Sequence, residues 1–492
     1  MIEKIDPPAS PEQGNKKTKS FEYGSRWRAG RSDSINRQSS IDNHQSINHD
    51  TPNILLVNPW IQDFAAYDFW AKPMGLLSLA SILRCHGYNV SYIDCLDRFH
   101  KKAPKTDPHA RAGRGPYLKT GIPRPDGLED VPRNYSRYGI KPEWFKEDIL
   151  STPKPDLVLV TSLMTYWYPG VHETIRIIKE TFPDTPVVLG GIYVSLCSDH
   201  ANDHSDADRI VTGLGEQYIL KLAEKFTGFA VSPEYNPDNP DTYPYPAFDL
   251  QRKISCIPII TSTGCPFSCA YCASNFLNPK RALRTPESVV EEICYWHEKY
   301  DVIDFVFYDD ALLVDAEKHA IPILEKIVEA GMNLRFHTPN AVHVRCISNQ
   351  TAGLMYKAGF KTLRLGLETA AFEKRKDFDS KVTEDEFMRA VACLKNAGFN
   401  KDQVGAYLLA GLPGQTISSV EDSIKTLKQN NITPVIAYYS PIPHTAMWEK
   451  AVASSRYNLE SDPVFTNNSI LPCQQESFSW ESISYLKNLA AS

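Results

Sequence analysis

The sequence predicts an α/β protein with two parallel-sheet units in tandem: an N-terminal doubly wound, Rossmann-like domain, then a partial or complete parallel (β/α)6 barrel of the TIM type. Three observations support this. Strand and helix patterns alternate over residues 51–226 and again over 256–445. The strands are short, nearly continuous apolar runs, as expected of strands covered on both faces. Between the two series, residues 227–255 are rich in Pro, Asn, Asp and Tyr and read as a linker.

The first series opens with the strand Asn53-Ile54-Leu55-Leu56-Val57-Asn58. Helical spacing over Met74–Leu83 and the strand Val90–Asp94 follow. Residues 95–150 form a long insertion rich in Pro, Gly, Arg and Lys. The alternation resumes at Leu157–Val160, with a helix at 171–181, strands at 186–189 and 208–213, and a helix opened by Glu216. The second series places strands near 257–262, 303–308, 334–338, 362–367, 404–410 and 434–439. Its helices fall near 286–300, 316–330, 348–358, 383–397 and 416–429. Residues 1–50 are polar and too poor in apolar side chains to offset the entropy of ordering, so a disordered tail is expected. Residues 446–492 are expected to cap the open side of the barrel.

The chain has 492 residues, 42% of them hydrophobic, enough for two or three domains with sizeable cores. A net charge of −6 argues against a generic nucleic-acid binder. No apolar run reaches the length of a membrane span and no secretory h-region opens the chain, so a cytoplasmic protein without a membrane partner is expected. Eleven cysteines, an odd number and mostly scattered, do not read as a disulfide framework.

Three cysteines stand apart. Cys265, Cys269 and Cys272 lie on the loop after the first barrel strand, where barrel chemistry is built. Thiolates this close on one loop can wrap a soft metal centre. Three of them leave a four-iron cluster one iron without a protein ligand, open to a substrate or cofactor. Unrelated buried thiols, or zinc with a distant fourth ligand such as His297, are the alternatives.

With Tyr271 before the last cysteine, this Cys-x3-Cys-x2-Cys loop resembles the radical S-adenosylmethionine (SAM) superfamily. The resemblance implies a 4Fe–4S cluster on Cys265, Cys269 and Cys272 whose unique iron chelates SAM. It also implies reductive cleavage to a 5′-deoxyadenosyl radical that abstracts a substrate hydrogen, with electrons from a donor such as flavodoxin or ferredoxin. By the same resemblance, Asp309 and Asp310 at the second strand end face the methionine part of SAM. Glu368, in Leu365-Gly366-Leu367-Glu368, accepts hydrogen bonds from the ribose hydroxyls. Gly411, in Gly411-Leu412-Pro413-Gly414, lets backbone approach the adenosine, and the Tyr271 backbone lies at the adenine edge. A helix cap for the acids and a plain strand-to-helix turn for the glycines are the structural alternatives.

The N-terminal domain resembles the cobalamin-binding domain fused to many such enzymes. The matching pieces are Pro73–Ala80, Gly87-Tyr88-Asn89-Val90, Asp94, Leu189-Gly190-Gly191 and Thr212-Gly213-Leu214-Gly215-Glu216. The Asp-x-His-x-x-Gly motif of many cobalamin domains is missing from the loop after Val57; the resemblance then leaves either cobalamin without a histidine lower ligand or an empty scaffold or substrate-binding platform. Gly190, Gly191, Gly213 and Gly215 would then make room beside the cofactor; otherwise they only make turns. With cobalamin bound, the resemblance implies radical methylation of a small-molecule or peptide substrate. Rearrangement or ring closure, a non-catalytic iron–sulfur redox sensor and a zinc-dependent structural module are the other readings.

Overall fold

The computed structural model describes residues 51–377, 379–473 and 478–492; the tail expected over 1–50 lies outside the described residues. The first domain is a five-stranded parallel sheet in the order β3-β1-β6-β7-β8. Its strands are β1 (Asn53–Asn58), β3 (Asn89–Asp94), β6 (Leu157–Val160), β7 (Val187–Gly190) and β8 (Arg209–Val211). The chain runs from β1 through α1 (Met74–Cys85) to β3 on one side. It then restarts at β6 on the other, so the order reverses between β1 and β6. In doubly wound sheets ligands bind outside the carboxyl ends of the strands at such a reversal.

The insertion is structured where the sequence pattern showed nothing regular. Strands β4 (Lys119–Gly121) and β5 (Ser136–Tyr138) pair with β2 (Ile61–Asp63) in an antiparallel sheet, order β2-β5-β4, and α2 (Pro142–Ser151) follows. Three-residue strands, one of them fully exposed, are too short to display an alternation.

The second domain is a six-stranded parallel sheet in the order β16-β15-β14-β13-β12-β9. Its members are β9 (Ile257–Ile259), β12 (Asp304–Phe307), β13 (Arg335–His337), β14 (Phe360–Glu368), β15 (Val404–Ala410) and β16 (Thr433–Tyr438). Among the described residues β9 and β16 do not pair, so the barrel is partial. The helices between strands lie close to their expected spans, with one difference. The helix expected from 316 starts at Ala320, because Pro322 lacks an amide hydrogen and is accommodated only in a first helical turn.

Strand alternation separates core from lumen. Leu363, Leu365 and Leu367 are fully buried beneath the helices, with Phe307, Phe336 and Phe360 packed ring to ring beside them. The intervening Arg364, Gly366 and Glu368 therefore line the other face.

The two domains are joined at several levels. Arg84 of α1 makes a bidentate pair with linker residue Asp249, at 2.7 and 2.8 Å. Trp70 leaves the first domain and stacks on His337 of β13, centroids 4.6 Å apart. The segment after the barrel returns to the first domain, where Asn467 donates to Asp63 (2.9 Å) and Tyr168 donates to Asp462 (2.9 Å). Among the described residues no helix is long and apolar enough to cross a membrane.

Asp97, just past β3, illustrates the electrostatics of this junction. Burial first, then the Asp94 charge, push its carboxyl up to about 6, although Arg252 of the linker stands 3.0 Å away. An unfolded Asp ionises near pH ~4. The stability associated with a protonated Asp97 is therefore complete below that pH and declines as pH rises to about 6. We expect Asp97→Asn to flatten the fall in unfolding free energy over this window, read by urea titration, by roughly 2 kcal/mol. Equal slopes for both proteins would contradict the assignment.

Candidate active site

The cysteine loop follows β9 and is held from several sides. Gly264 begins it at φ +76°, where an added Cβ would stand 2.9 Å from the Lys280 carbonyl oxygen. The Met447 amide donates to the Ala270 carbonyl (2.8 Å), Asn275 Nδ2 to the Phe267 carbonyl (3.1 Å), and the Ser274 hydroxyl to Asp310 Oδ2 (2.7 Å). All eleven cysteines are free thiols. Cys265 Sγ lies 3.8 Å from His343 Nε2, and the Ser274 amide donates to Cys272 Sγ at 3.4 Å. The His343 ring stacks on Phe267 at 4.5 Å, and burial lowers its pKa to about 3, so it is neutral.

Among the described residues no three His, Cys, Asp or Glu side chains are gathered to hold a single metal ion. In a four-iron cluster each thiolate binds a separate iron, so such ligands stand further apart than those around one ion. The donor set, three free thiols on one loop, fits a cluster with an open iron.

The two acids at the end of β12 part company. Asp309 is buried and turned into the strand ends. Its Oδ1 accepts from the Thr261 and Ser262 hydroxyls (both 2.7 Å) and from their amides. Burial raises its pKa, and these donors oppose the rise. Asp310 instead meets the cysteine loop through Ser274. The strand end thus uses one acid internally and presents the other to the candidate site.

Glu368 ends β14 at a register shift, with φ +59°, a conformation rare for a side-chain-bearing residue. Its Oε1 accepts from Lys381 Nζ at 2.8 Å, and the same ammonium donates to the Tyr271 hydroxyl at 2.9 Å. Its Oε2 is buried, has no hydrogen bond among the described residues, and has Arg375 at 3.8 Å. A buried carboxylate oxygen without a donor is costly, and two ligand hydroxyls are suited to supply one. Burial pushes the Glu368 carboxyl up. Burial works against the Lys381 charge as well, yet Glu368 and Cys269 hold its pKa above the ordinary lysine value.

Lys381, Arg375 and His343 have no sequence motif. Lys381 is 13 residues beyond Glu368, and only the loop after β14 brings it back. That loop also joins Arg375 to Asp379 at 2.6 Å.

Gly411, after β15, sits at φ +91°. Gln415 closes its loop by accepting from the Gly411 and Leu412 amides (2.8 and 3.2 Å) and donating to the Leu409 carbonyl (2.8 Å).

In the first domain, Gly191 is required by close approach, since a Cβ there would stand 2.3 Å from the Ser162 carbonyl oxygen. Gly215 packs on Leu79. Gly190 makes only an ordinary contact, and Gly213, at φ +80°, borders open space. After three successive strands at this sheet edge large apolar side chains are exposed: Met164 after β6, Ile192 after β7 and Leu214 after β8, at 44, 38 and 47%. The cysteine loop reaches the same edge. Phe276 stacks on His444 at 4.2 Å, and His444 Nε2 lies 3.2 Å from the carbonyl of Leu196, in the segment after β7.

Residues 259–427 match the family model described as the Radical SAM superfamily. An uncharacterized methyltransferase of Pyrococcus horikoshii is 26% identical over 329 residues, covering 61% of this chain and 70% of that protein. An anaerobic magnesium-protoporphyrin IX monomethyl ester cyclase of Rubrivivax gelatinosus is 25% identical over 333 residues, covering 61% of this chain and 59% of the cyclase. Among solved structures, the radical SAM methyltransferase TsrM of Kitasatospora setae, with cobalamin and a [4Fe–4S] cluster bound, is similar in fold. Its TM-score is 0.59 at 17% identity, covering 83% of this chain and 76% of TsrM.

The Lys381–Glu368 pair makes a stability prediction. Lys381→Met leaves the buried carboxylate without its ammonium and is expected to destabilise the protein by about 3 kcal/mol. Adding Glu368→Gln should recover much of that loss. Additive effects in the double-mutant cycle, read by urea unfolding, would show that the two side chains are not coupled.

Proposed function

We propose that this chain, whose residues 259–427 match the Radical SAM superfamily model, is a cobalamin-dependent radical methylase of a small-molecule or peptide substrate. One observation carries this reading. The Phe276–His444–Leu196 contacts set the cysteine loop against the strand-end edge of the doubly wound domain. At that edge apolar side chains stand exposed after three consecutive strands beside the open space at Gly213. A flat, largely apolar macrocycle suits such an edge, and TsrM, of the same fold, was solved with cobalamin.

When bound, a reduced 4Fe–4S cluster supplies the electron for cleavage of SAM, and cobalamin supplies a carrier for the methyl group. The residues have distinct tasks. Cys265, Cys269 and Cys272 hold the cluster as thiolates. Glu368 Oε2 accepts from the ribose hydroxyls, with Lys381 balancing the charge of the carboxylate from the far side. Asp310 is the acid available to the methionine ammonium, while Asp309 fixes the strand end that presents it. The Tyr271 and Gly411 backbones border the adenosine. Gly190, Gly191, Gly213 and Gly215 keep side-chain bulk away from the cobalamin, and Met164, Ile192 and Leu214 exclude water from its face. An electron donor of the flavodoxin or ferredoxin class completes the system, and free thiols throughout suit a reducing cytoplasm. Similarity to a cyclase favours ring closure as the second reading. It uses the same residues and differs in whether a methyl group reaches the product.

The test is cofactor content after anaerobic purification from cobalamin-supplied cells, followed by turnover with SAM bearing a trideuterated methyl group. About four irons and one cobalamin per chain, 5′-deoxyadenosine formation and a deuterated methyl group in the product are expected. Four irons without cobalamin would defeat methyl transfer and leave the radical chemistry standing. For the ligands, Cys269→Ala is expected to abolish the cluster absorbance, and full iron retention would remove Cys269 from the set.

A further inference from the structure

The lower lumen of the barrel carries positive charge without a counter-ion. On β14, Leu363 and Leu365 are fully buried in the helix-facing core, so Arg364 between them projects into the lumen. Its side chain donates one hydrogen bond, from Nη1 to the carbonyl of neighbouring Leu363 at 3.1 Å. No ion pair to it is found among the described residues, although a guanidinium has five donors. On the adjacent strand Gly405 makes way for it, since a Cβ there would stand 3.2 Å from Arg364 Nη1. A glycine inside a strand often marks such a close approach.

A second guanidinium enters from the insertion of the first domain. Arg114 lies 4.7 Å from the Trp70 ring centroid, and that ring stacks on His337 of the inner barrel wall. Its side chain is held by one bond, Nε to the Arg111 carbonyl at 3.0 Å, and it too lacks an acidic partner among the described residues. Burial lowers the Arg364 pKa, Tyr407 opposes this, and the Arg114 charge lowers it further, in keeping with their proximity. The carboxylate of this region, Asp304, is already engaged. Arg335 grips both its oxygens, and His337 Nε2 lies 3.0 Å from Oδ1. Among the described residues, Arg364, Arg114 and Arg335 thus share Asp304 as the carboxylate named here, which leaves two of the three positive charges unbalanced.

We propose that Arg364 and Arg114 together receive an anionic group, a carboxylate or phosphate, on the substrate. The proposal rests on the radical SAM reading and names the substrate class of that site. Arg364 precedes Glu368 by four residues on the same strand face, about 13 Å at 3.3 Å per residue. The anionic end of the substrate is thus held on the strand face that carries Glu368, nearer the amino-terminal end of β14.

The test uses the full chain purified anaerobically, with inorganic phosphate and acetate as probes at constant ionic strength. Hydrogen exchange of peptides covering 108–116 and 360–368 is the readout. Saturable protection by either anion is expected in the wild type. Its midpoint should weaken about tenfold or more in Arg364→Gln, with partial recovery in Arg364→Lys. Arg114→Gln is the independent second variant, and unchanged exchange in α1 checks the fold of each. Protection that is absent or non-saturable, or equal in wild type and both glutamine variants, overturns the proposal. Displacement of phosphate by hydroxocobalamin would assign the pair to the cofactor's phosphodiester and likewise overturn it. Wild-type iron content and 5′-deoxyadenosine release are measured alongside. Their failure defeats the radical reading, whereas absent protection in a protein that makes 5′-deoxyadenosine defeats only the anion site.

Discussion

Asp63 is buried, and its carboxylate accepts from the Phe64 amide (2.6 Å), the Trp167 indole (2.7 Å) and the Asn467 amide group (2.9 Å). Those donors come from the segment after β1, the segment after β6 and the chain beyond the barrel. Burial raises the Asp63 pKa, and its side-chain and backbone partners oppose the rise. A buried carboxylate needs such donors, and removing any one leaves the others holding an unsatisfied group. The requirement ties the reversal point of the first sheet to the C-terminal segment. With Phe276 and His444 on the other side, it sets two strand-end edges toward each other.

The chemistry follows from that facing arrangement. A parallel sheet collects its loops at the carboxyl ends of its strands, so each domain offers one functional edge. Side-chain alternation then divides every strand between a helix-covered core and the opposite face. Leucines and phenylalanines fill the first, whereas Asp304, His337, Arg364 and Glu368 occupy the second. Charged groups tolerate that position only with partners. Glu368 has Lys381 and Asp304 has Arg335 and His337, while Arg364 has no acidic partner among the described residues.

Local pattern and tertiary context contribute unequally to the candidate site. The cysteine spacing is local, and so is the run of apolar residues that ends at Glu368. Both can be read along the chain because the residues that act together are neighbours in sequence. Asp309 and Asp310 were indistinguishable in sequence as adjacent acids at a strand end. Beyond the end of β12 the chain turns one into the Thr261–Ser262 network and the other toward the cysteine loop. The insertion was opaque for a different reason, since its strands are too short for periodicity to register.

The sequence by itself determined the two parallel-sheet domains, their order, the cysteine loop and the strand ends where chemistry collects. These depend on hydrophobic period and short-range spacing, which survive without coordinates. Only the tertiary structure decided that the barrel stays open between β9 and β16 and that Lys381 meets Glu368 and Tyr271. It alone brought Arg114 and Trp70 from the first domain to the barrel wall. Such contacts join residues tens to hundreds of positions apart, and their energy comes from burial and charge pairing, which no local pattern encodes.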